Sequence, residues 1–294
     1  MTDRIAVEKT PKLYVNGAFV RSESGRTVEV LDADGAVVAH ACHASRKDLR
    51  DAVGAARGAF DSWRRRTGYN RGQILYRVAE MLEGRAEELA RAIAMPTGGP
   101  LRAARTQVDL SIDRLVAWAG WCDKAAQILG CQNPVAGPFY NFTAVEATGV
   151  IAVVCPDTPS LLGMVSLIAP ALAGGNTVVV ITSAANPLPS IVMGEACATG
   201  DMPPGVVNIL TGLRPELVSW VAGHRGIDGI HGANLAPEEA KALRMGTGEN
   251  VKRVRIRTVT DTGPGGWKDD SACESLWWLE GLVEMKTIWH PSGI

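Results

Sequence analysis

The chain has 294 residues, of which 46% are hydrophobic and 21% are charged, and its formal net charge is −1. This composition supports a large buried core, and a net charge near zero excludes a global field that would attract nucleic acid or anionic lipid. The most apolar windows are interrupted by Pro156, Pro170 and Gly174, so no transmembrane helix is predicted. Residues 1–12 contain no apolar signal core, and we therefore expect a cytoplasmic protein without a nucleic-acid or membrane partner.

The six cysteines are scattered along the sequence. None forms a CxxC pair, and the five histidines do not cluster near them, so neither a metal site nor a disulfide framework is predicted. We interpret most of these cysteines as small buried residues in a reducing compartment.

The N-terminal part is predicted to form a β-hairpin followed by long helices. Asn16-Gly17 lies between two apolar runs, and this dipeptide favours a two-residue hairpin turn. Ser45 and Asp48 have the spacing of a capping box, which predicts the start of a helix. From the remaining apolar spacing we predict strands over residues 25–31 and 36–41 and helices over about residues 70–94 and 103–129.

Residues 149–212 alternate between two kinds of apolar pattern. Short runs rich in β-branched residues predict strands, and longer apolar runs predict buried helices. The predicted strands are Val150–Cys155, Thr177–Ile181 and Val206–Leu210, and the predicted helices span about residues 159–172 and 188–199. Two strand–helix–strand units favour parallel strands with right-handed connections, and such sheets bind ligands at the carboxyl ends of their strands.

The alternation continues after Gly212. Two more helices are predicted over about residues 215–223 and 237–246, and two more strands over residues 226–230 and 251–256. We therefore predict an α/β fold, with a Rossmann-like parallel sheet of about five strands and an N-terminal helical layer.

Three motifs carry a family resemblance: GVIAVVCP at residues 149–156, APALAGGNTVVV at residues 169–180 and PPGVVNILTG at residues 203–212. In this order and spacing they resemble the cofactor domain of the aldehyde dehydrogenase superfamily. The YVNGAFV hairpin at residues 14–20 and the tail VEMKTIWHP at residues 283–291 are also similar to family segments. The resemblance implies that this tail completes a projecting β arm that joins subunits.

The resemblance divides the chain into four predicted parts. Residues 1–133 form the N-terminal hairpin and the helical part of the cofactor-type domain, residues 134–148 and 276–294 form the oligomerisation arm, residues 149–257 form the Rossmann-like domain, and residues 258–275 form a bridge. The bridge replaces the family's catalytic lobe and is far too short for a domain. We therefore interpret the chain as a truncated, catalytically degenerate family member.

The family's chemistry, as the resemblance implies it, requires a nucleophilic cysteine, an oxyanion hole, a general base, two ribose contacts and a pyrophosphate turn. Thr158 replaces the oxyanion asparagine, and Arg257, which cannot accept a proton, stands at the general base. Ile181 and Ala184 replace the lysine and glutamate that bind the ribose. We therefore predict no catalytic residue.

The cofactor site is predicted to survive only as remnant positions. These positions are Pro156, Thr158, Ser183, Gly212 and Gly232. Gly232 lies in the nearest match to the pyrophosphate turn, but the family's later glycine is absent and Pro237 intrudes. No bound cofactor is expected, with weak NAD binding as the alternative.

Three other features have both a functional and a structural interpretation. Cys273 lies in the bridge without the family's nucleophile context, and we interpret it as a structural or incidental thiol. His231 lies near Asp228 without a serine or cysteine motif, which favours a loop histidine over half of a catalytic dyad. The tail tryptophans, Trp277, Trp278 and Trp289, are predicted to be interface anchors rather than ligand-stacking residues.

The leading functional hypothesis is a noncatalytic subunit. It would assemble with an active aldehyde dehydrogenase subunit, or with a second copy of itself, through the Val283–Trp289 tail. Two alternatives stay open: an active NAD-dependent aldehyde dehydrogenase with relocated residues, and a nucleotide-binding regulatory module.

Overall fold

The computed structural model describes residues 10–292. Residues 1–9 and 293–294 lie outside this range. The expectation of no signal core rests largely on residues 1–9, and residues 293–294 are the end of the predicted arm. Within residues 10–292, no helix combines the length and the hydrophobicity that crossing a membrane requires.

Four short strands come first: β1 (Leu13–Val15), β2 (Ala18–Val20), β3 (Thr27–Leu31) and β4 (Val37–Cys42). Strands β1 and β2 form the predicted hairpin, and Asn16 and Gly17 both adopt positive φ angles, of 53° and 77°, in its turn. These two residue types tolerate that left-handed conformation, which explains the turn. Strands β3 and β4 pair with each other in a separate sheet.

Five helices follow: α1 (Arg46–Arg64), α2 (Gly68–Glu83), α3 (Ala86–Thr97), α4 (Leu101–Trp121) and α5 (Ala125–Leu129). The predicted capping box is present at the start of α1. The backbone N–H of Asp48 donates to Ser45 Oγ, and the Asp48 carboxylate accepts from the N–H of Ser45.

The single helices predicted over residues 70–94 and 103–129 are wrong, because each region forms two helices. The first region divides at Gly84, which is a poor helix former. The second divides after α4, where the Cys122 carbonyl packs on Gly68 so closely that a Cβ there would lie 2.3 Å from the oxygen. This second division depends on a tertiary contact and not on the local pattern.

The remaining elements up to residue 257 are β5 (Cys131–Gln132), β6 (Phe139–Ala147), β7 (Val150–Val154), α6 (Ser160–Ala173), β8 (Thr177–Ile181), α7 (Leu188–Thr199), β9 (Val207–Leu210), α8 (Arg214–Gly223), β10 (Gly229–Ala233), α9 (Pro237–Asn250) and β11 (Arg253–Arg257). The main sheet has the order β11-β10-β7-β8-β9-β1-β2, and its first five strands are parallel. The α/β class and the Rossmann-like sheet are thus confirmed. The sheet has seven strands rather than about five, since the N-terminal hairpin joins its edge by pairing Tyr14 with Ile209.

The chain ends with α10 (Asp270–Cys273), α11 (Trp277–Glu280) and β12 (Val283–Pro291). Strand β12 pairs antiparallel with β6 from Val283, opposite Ala147, to Pro291, opposite Phe139. Strand β5 pairs with the other side of β6. The two segments predicted to form the arm therefore lie in one three-stranded sheet, with β12 at its edge.

Two helical layers cover the parallel strands. Helices α6 and α7 pack on one face, with α2, α3 and α4 outside them, while α1, α8 and α9 pack on the other face. Every residue of β7 and β8 is buried, as expected for parallel strands between two layers. The carboxyl ends of the five parallel strands meet at one edge, where folds of this kind bind ligands.

Candidate functional site

The carboxyl edge of the sheet has a switch point between β7 and β10. The connection after β7 leads to α6 on one face and the connection after β10 leads to α9 on the other, so the two loops diverge and leave a crevice. Arg214, at the start of α8, reaches into this region. Its Nη1 donates to the carbonyl oxygen of Cys155, at the end of β7, at 3.2 Å.

Arg214 forms an ion-pair cluster with Asp157 and Glu239, which we call the Arg214 cluster. Its Nη1 and Nη2 donate to the two carboxylate oxygens of Asp157 at 2.9 and 2.8 Å, and its Nε donates to Glu239 at 2.9 Å. Arg214 and Glu239 are 7% and 8% exposed. The rigid fork of the guanidinium suits this bidentate pairing, which is among the stronger polar contacts in proteins.

Both carboxylates of the cluster also accept hydrogen bonds from the backbone of neighbouring loops. Asp157 accepts from the N–H groups of Ala184 and Ala185, after β8, at 2.9 and 3.3 Å. Glu239 accepts from the N–H of Ala236, before α9, at 3.1 Å. The cluster thereby ties together the loops that follow β7, β8, β9 and β10.

The N-terminus of α9 is the place at which an anionic ligand of this fold would bind. It already holds a carboxylate, because Glu239 accepts the Ala236 N–H. Pro237 has no N–H to donate, and Glu238 places a second negative charge in the first turn. A phosphate at this position would meet like charges and few unused donors.

The five remnant positions lie around the same edge. Pro156 and Thr158 follow β7, Ser183 follows β8, Gly212 follows β9, and Gly232 lies within β10. Ser183 is buried and engaged inside the protein: its Oγ donates to the Asp157 carbonyl at 3.0 Å and accepts from the N–H of Asn186 at 2.9 Å. Gly232 is covered by Leu235, whose Cδ1 would lie 3.1 Å from an added Cβ.

The positions that correspond to the family's ribose contacts carry no polar side chain. Ile181 is 1% exposed at the end of β8, and Ala184 is exposed in the loop that Asp157 holds. Neither side chain can donate or accept a hydrogen bond, so ribose hydroxyls placed here would have no side-chain partner at these two positions.

An apolar cavity of about 270 Å³ lies beside Thr158. It lies between the end of α3, the start of α4 and the start of α6, and bridge residues Asp261, Trp267 and Lys268 complete its wall. Among the described residues that line it, none is a cysteine or a histidine. The exposed Thr158 therefore has neither a thiol nor an imidazole beside it in this lining.

Arg257, at the position of the family's general base, is held by two aromatic side chains. Its Nε donates to His231 Nε2 at 3.0 Å, and its guanidinium carbon lies 4.2 Å from the ring centre of Trp278. Trp278 is 6% exposed, so its prediction as an interface anchor is wrong. Trp278 packs inward because α11, which carries it, lies against α6, and its ring contacts the ring of Trp267 in the bridge. Trp277 and Trp289 are exposed.

His231 is fully buried within β10, so the prediction of a loop histidine is wrong. The strand that we predict over residues 226–230 is instead Gly229–Ala233, three residues further along the chain, and this strand includes His231. Burial, together with the nearby Arg257 charge, lowers the His231 pKa to about 3. The ring is therefore neutral: Nδ1 lies 3.0 Å from the Leu167 carbonyl, to which it donates, and Nε2 accepts from Arg257. Asp228 pairs instead with Arg57.

The bridge, residues 258–275, is folded onto α4 and α6. Arg114 of α4 is fully buried and donates to the Trp267 carbonyl at 3.1 Å and to the Asp270 carboxylate at 2.9 Å. Its Nη1 donates to Ser166 Oγ at 2.7 Å. Trp267 itself is 1% exposed. These contacts anchor the bridge to the core at Trp267, while residues 260–265 stay exposed.

Cys273 is buried in the same bridge, and its Sγ lies 3.4 Å from the Gly266 carbonyl oxygen, to which it donates. Burial raises the pKa of the Cys273 thiol. A nucleophilic cysteine requires thiolate character and access, and this side chain has neither. Within residues 10–292, no group of three histidine, cysteine, aspartate or glutamate side chains could hold a metal ion.

Sequence reasoning missed three charged residues that organise these regions: Arg114, Arg214 and Glu239. Arg214 has a weak signal, because it is a charged residue directly between a predicted strand end and a predicted helix. Its partners lie 57 and 25 residues away in the sequence. No spacing rule identifies a pairing over such distances.

The strand order and the crevice define a Rossmann-like α/β protein, and comparisons with known proteins specify its family. The profile of the aldehyde dehydrogenase family matches residues 19–233. The chain belongs to this family.

Similar proteins include several dehydrogenases. Retinal dehydrogenase 2 of Gallus gallus is 36% identical over 254 residues, which cover 84% of this chain and 48% of that protein. Aldehyde dehydrogenase family 2 member B4, mitochondrial, of Arabidopsis thaliana is 33% identical over 249 residues, which cover 83% of this chain and 46% of that protein. The NAD⁺ complex structure of the aldehyde dehydrogenase from Bacillus cereus matches with a TM-score of 0.81 and 28% identity, over 86% of this chain and 52% of that one. The chain thus spans about half the length of the relatives it matches.

The residues at the carboxyl edge do not fit the dinucleotide that the Bacillus cereus enzyme binds. At the start of α9 the Ala236 N–H is bound to Glu239 and Pro237 has no N–H to donate, and the crevice holds the Arg214 cluster. The positions that the resemblance assigns to the ribose contacts carry Ile181 and Ala184. No catalytic step is therefore assigned to a dinucleotide in this chain.

Proposed function

We propose that this chain is a noncatalytic aldehyde dehydrogenase-like subunit that assembles with an active aldehyde dehydrogenase. The observation that carries the proposal is the bridge. Residues 258–275 lead from β11 to the tail and pack into the core through Arg114 and Trp267. The family resemblance implies a nucleophile-bearing lobe at this point of the chain, and a short connection anchored by the buried Trp267 stands in its place.

The side chains around the bridge support the same conclusion. Arg257 cannot act as a base, His231 is neutral with both ring nitrogens engaged, and Cys273 is a buried thiol. Aldehyde oxidation needs a nucleophile and a base near one reacting carbon. None of these three residues supplies either.

The arm supports assembly with another chain. Among the described strands, β12 pairs only with β6, so the backbone groups along its other edge are available to a further strand. One face of the arm carries Tyr140 and Phe142, which are 58% and 39% exposed, next to Ile288. An open edge beside an exposed apolar surface suits the addition of a partner's strand.

The family resemblance implies that this partner strand belongs to a catalytic lobe. An active aldehyde dehydrogenase has such a lobe, whereas the bridge of this chain leaves no room for one between β11 and the tail. An active aldehyde dehydrogenase therefore offers the arm a partner strand that a second copy of this chain does not.

The test is co-expression of the tagged chain with a full-length aldehyde dehydrogenase from the same organism, followed by size-exclusion chromatography and mass photometry. We expect a complex of fixed stoichiometry. The double substitution Phe142→Ser and Ile288→Ser should weaken it about tenfold or more, because it removes two apolar contacts from one face.

The matched control is Tyr69→Ser on α2, which removes another aromatic side chain that is 65% exposed. The control should bind like the unmodified chain. Separate elution of the two proteins, or equal binding by the double variant, would contradict the proposal. A dimer of the chain alone would favour self-assembly through the arm.

A further inference from the structure

We infer that the Arg214 cluster takes the place of the dinucleotide at the carboxyl edge of the sheet, so that this edge is held by the chain's own charges and admits no nucleotide. The inference goes beyond the proposed subunit role. It concerns how one edge of the fold is held, whether or not a partner binds the arm.

The position of the cluster is the first argument. The switch point between β7 and β10 is where folds of this kind hold a nucleotide. Arg214 spans this point, since it contacts the Cys155 carbonyl and Asp157 after β7 and Glu239 in the first turn of α9. A ligand that entered between these loops would have to separate the ion pairs.

The donors are the second argument. A phosphate group in such a crevice depends on free backbone N–H groups and on a local positive charge. The N–H groups of Ala184 and Ala185 are bound to Asp157, and that of Ala236 is bound to Glu239. Four N–H donations of the guanidinium go to Asp157, Glu239 and the Cys155 carbonyl.

The charge balance is the third argument. One cation, Arg214, faces two carboxylates in the cluster, and Glu238 adds a further negative charge at the same helix start. The region is therefore net negative, and a pyrophosphate would be repelled rather than attracted. The carboxylates occupy the place of the ligand's anion, and Arg214 supplies their counter-charge.

Burial distinguishes the Arg214–Glu239 pair of this cluster from ordinary surface ion pairs. The side chains of Arg214 and Glu239 are each 9% exposed, whereas that of Asp157 is 42% exposed. Arg105 and Glu87 form a pair with the same two-point geometry between α3 and α4, but their side chains are 51% and 58% exposed. Loss of a buried partner leaves uncompensated charge, whereas loss of an exposed partner has little effect.

The first test is a titration of the unmodified protein with NAD⁺ and with NADH, followed by isothermal calorimetry and by thermal unfolding. An active NAD-dependent aldehyde dehydrogenase measured in parallel shows the signal expected from binding. We expect no heat of binding and no change in Tm up to millimolar nucleotide. A ligand at a large excess over its Kd necessarily raises Tm. Millimolar nucleotide is a large excess over a Kd of about 100 μM, so binding of that strength would raise Tm measurably. A Kd below about 100 μM would overturn the inference.

The second test compares Arg214→Met with Arg105→Met. We expect Tm to fall by about 6 °C or more in the first variant and by no more than about 2 °C in the second. The milder variant Glu239→Gln keeps an acceptor for Ala236 and removes one charge, so its Tm should fall by an intermediate amount.

Amide hydrogen exchange identifies the cause of any loss of thermal stability in these variants. In Arg214→Met, peptides with Ala184, Ala185 and Ala236 should lose protection together, because their acceptors are the two carboxylates of the cluster. In Arg105→Met these peptides should stay protected. Equal behaviour of the two variants would refute the inference, and the co-expression experiment on the arm is independent of either outcome.

Discussion

His231 is a titratable residue that the fold keeps neutral. Its pKa is about 3 in the folded protein, against an ordinary value of 6.5, chiefly because of burial. Between these two pH values the unfolded chain binds one proton more than the folded chain at this site. The stability contributed by the neutral ring is therefore complete above about pH 6.5 and is lost progressively as the pH falls towards 3.

Replacing His231 with glutamine should reduce the acid sensitivity of the protein. Between pH 7 and pH 5, we expect the free energy of unfolding to fall by about 2 kcal/mol less in His231→Gln than in the unmodified protein. Urea unfolding of both proteins at the two pH values measures this difference. Equal losses in both proteins would show that His231 is not buried as a neutral group.

At the level of single residues, the sequence shows which side chains stand at the family's motif positions, but it does not show what those side chains contact. Thr158, Ile181 and Arg257 can be recognised at their motif positions without a structure. The pairing of Arg257 with His231 cannot, because it depends on the register of β10 beside β11. Register is a property of the packed sheet, and a shift of three residues in the predicted strand was enough to place His231 in a loop.

The bridge is the element that most clearly separates this chain from a complete dehydrogenase. Its only helix among the described residues is the single turn α10, and Arg114 of α4 holds it by donating to the Trp267 carbonyl and to the Asp270 carboxylate. Arg114 is fully buried, and its Nε has no hydrogen-bond partner, with Glu274 lying 3.6 Å away. The bridge is therefore held by one charged side chain more than by regular secondary structure.

Replacing Arg114 with methionine should release the bridge. We expect the free energy of unfolding to fall by about 3 kcal/mol, because the buried Ser166 hydroxyl and Trp267 carbonyl lose the guanidinium as a hydrogen-bond donor. The control Arg77→Met, which removes an exposed i,i+3 pair with Glu80, should cost less than about 1 kcal/mol.

Limited proteolysis shows where the Arg114 variant changes. Cleavage should increase in the glycine-rich part of the bridge, around Gly263 and Gly265, while the parallel strands stay resistant. Resistance of the bridge in Arg114→Met, at the level of the unmodified protein, would contradict this assignment.

At the level of elements, buried segments follow their patterns most closely. The predicted helix over residues 188–199 agrees with α7, and the one over residues 159–172 agrees with α6 to one residue, because both are apolar runs bounded by proline and glycine. The divisions at Gly84 and after α4 are not visible in the same way. Amphipathic spacing continues across each break. The first helix ends at Gly84, a poor helix former, and the second break depends on the packing of the Cys122 carbonyl on Gly68.

The whole molecule combines a complete parallel sheet with an arm and a shortened connection between them. This combination accounts for a match that covers most of the chain and only about half of its relatives. The family profile ends at residue 233, and the bridge lies beyond it.

The purified chain should produce no NADH from aldehydes. We expect aldehyde-dependent NADH formation at the level of a protein-free control, because Cys273 is a buried thiol and Arg257 cannot act as a base. Absorbance at the nicotinamide band measures the rate, and Cys273→Ala should give the same result. A clear rate in the unmodified chain that disappears in Cys273→Ala would instead establish an active enzyme with relocated residues.

The Arg214 cluster also limits how this sequence can change over generations. A substitution of Arg214 alone leaves Asp157 and Glu239 without a counter-charge. A substitution of either carboxylate alone leaves Arg214 with one ion pair instead of two. We therefore expect residues 157, 214 and 239 to be substituted together rather than one at a time, and sequences related to this chain should show correlated changes at these three positions.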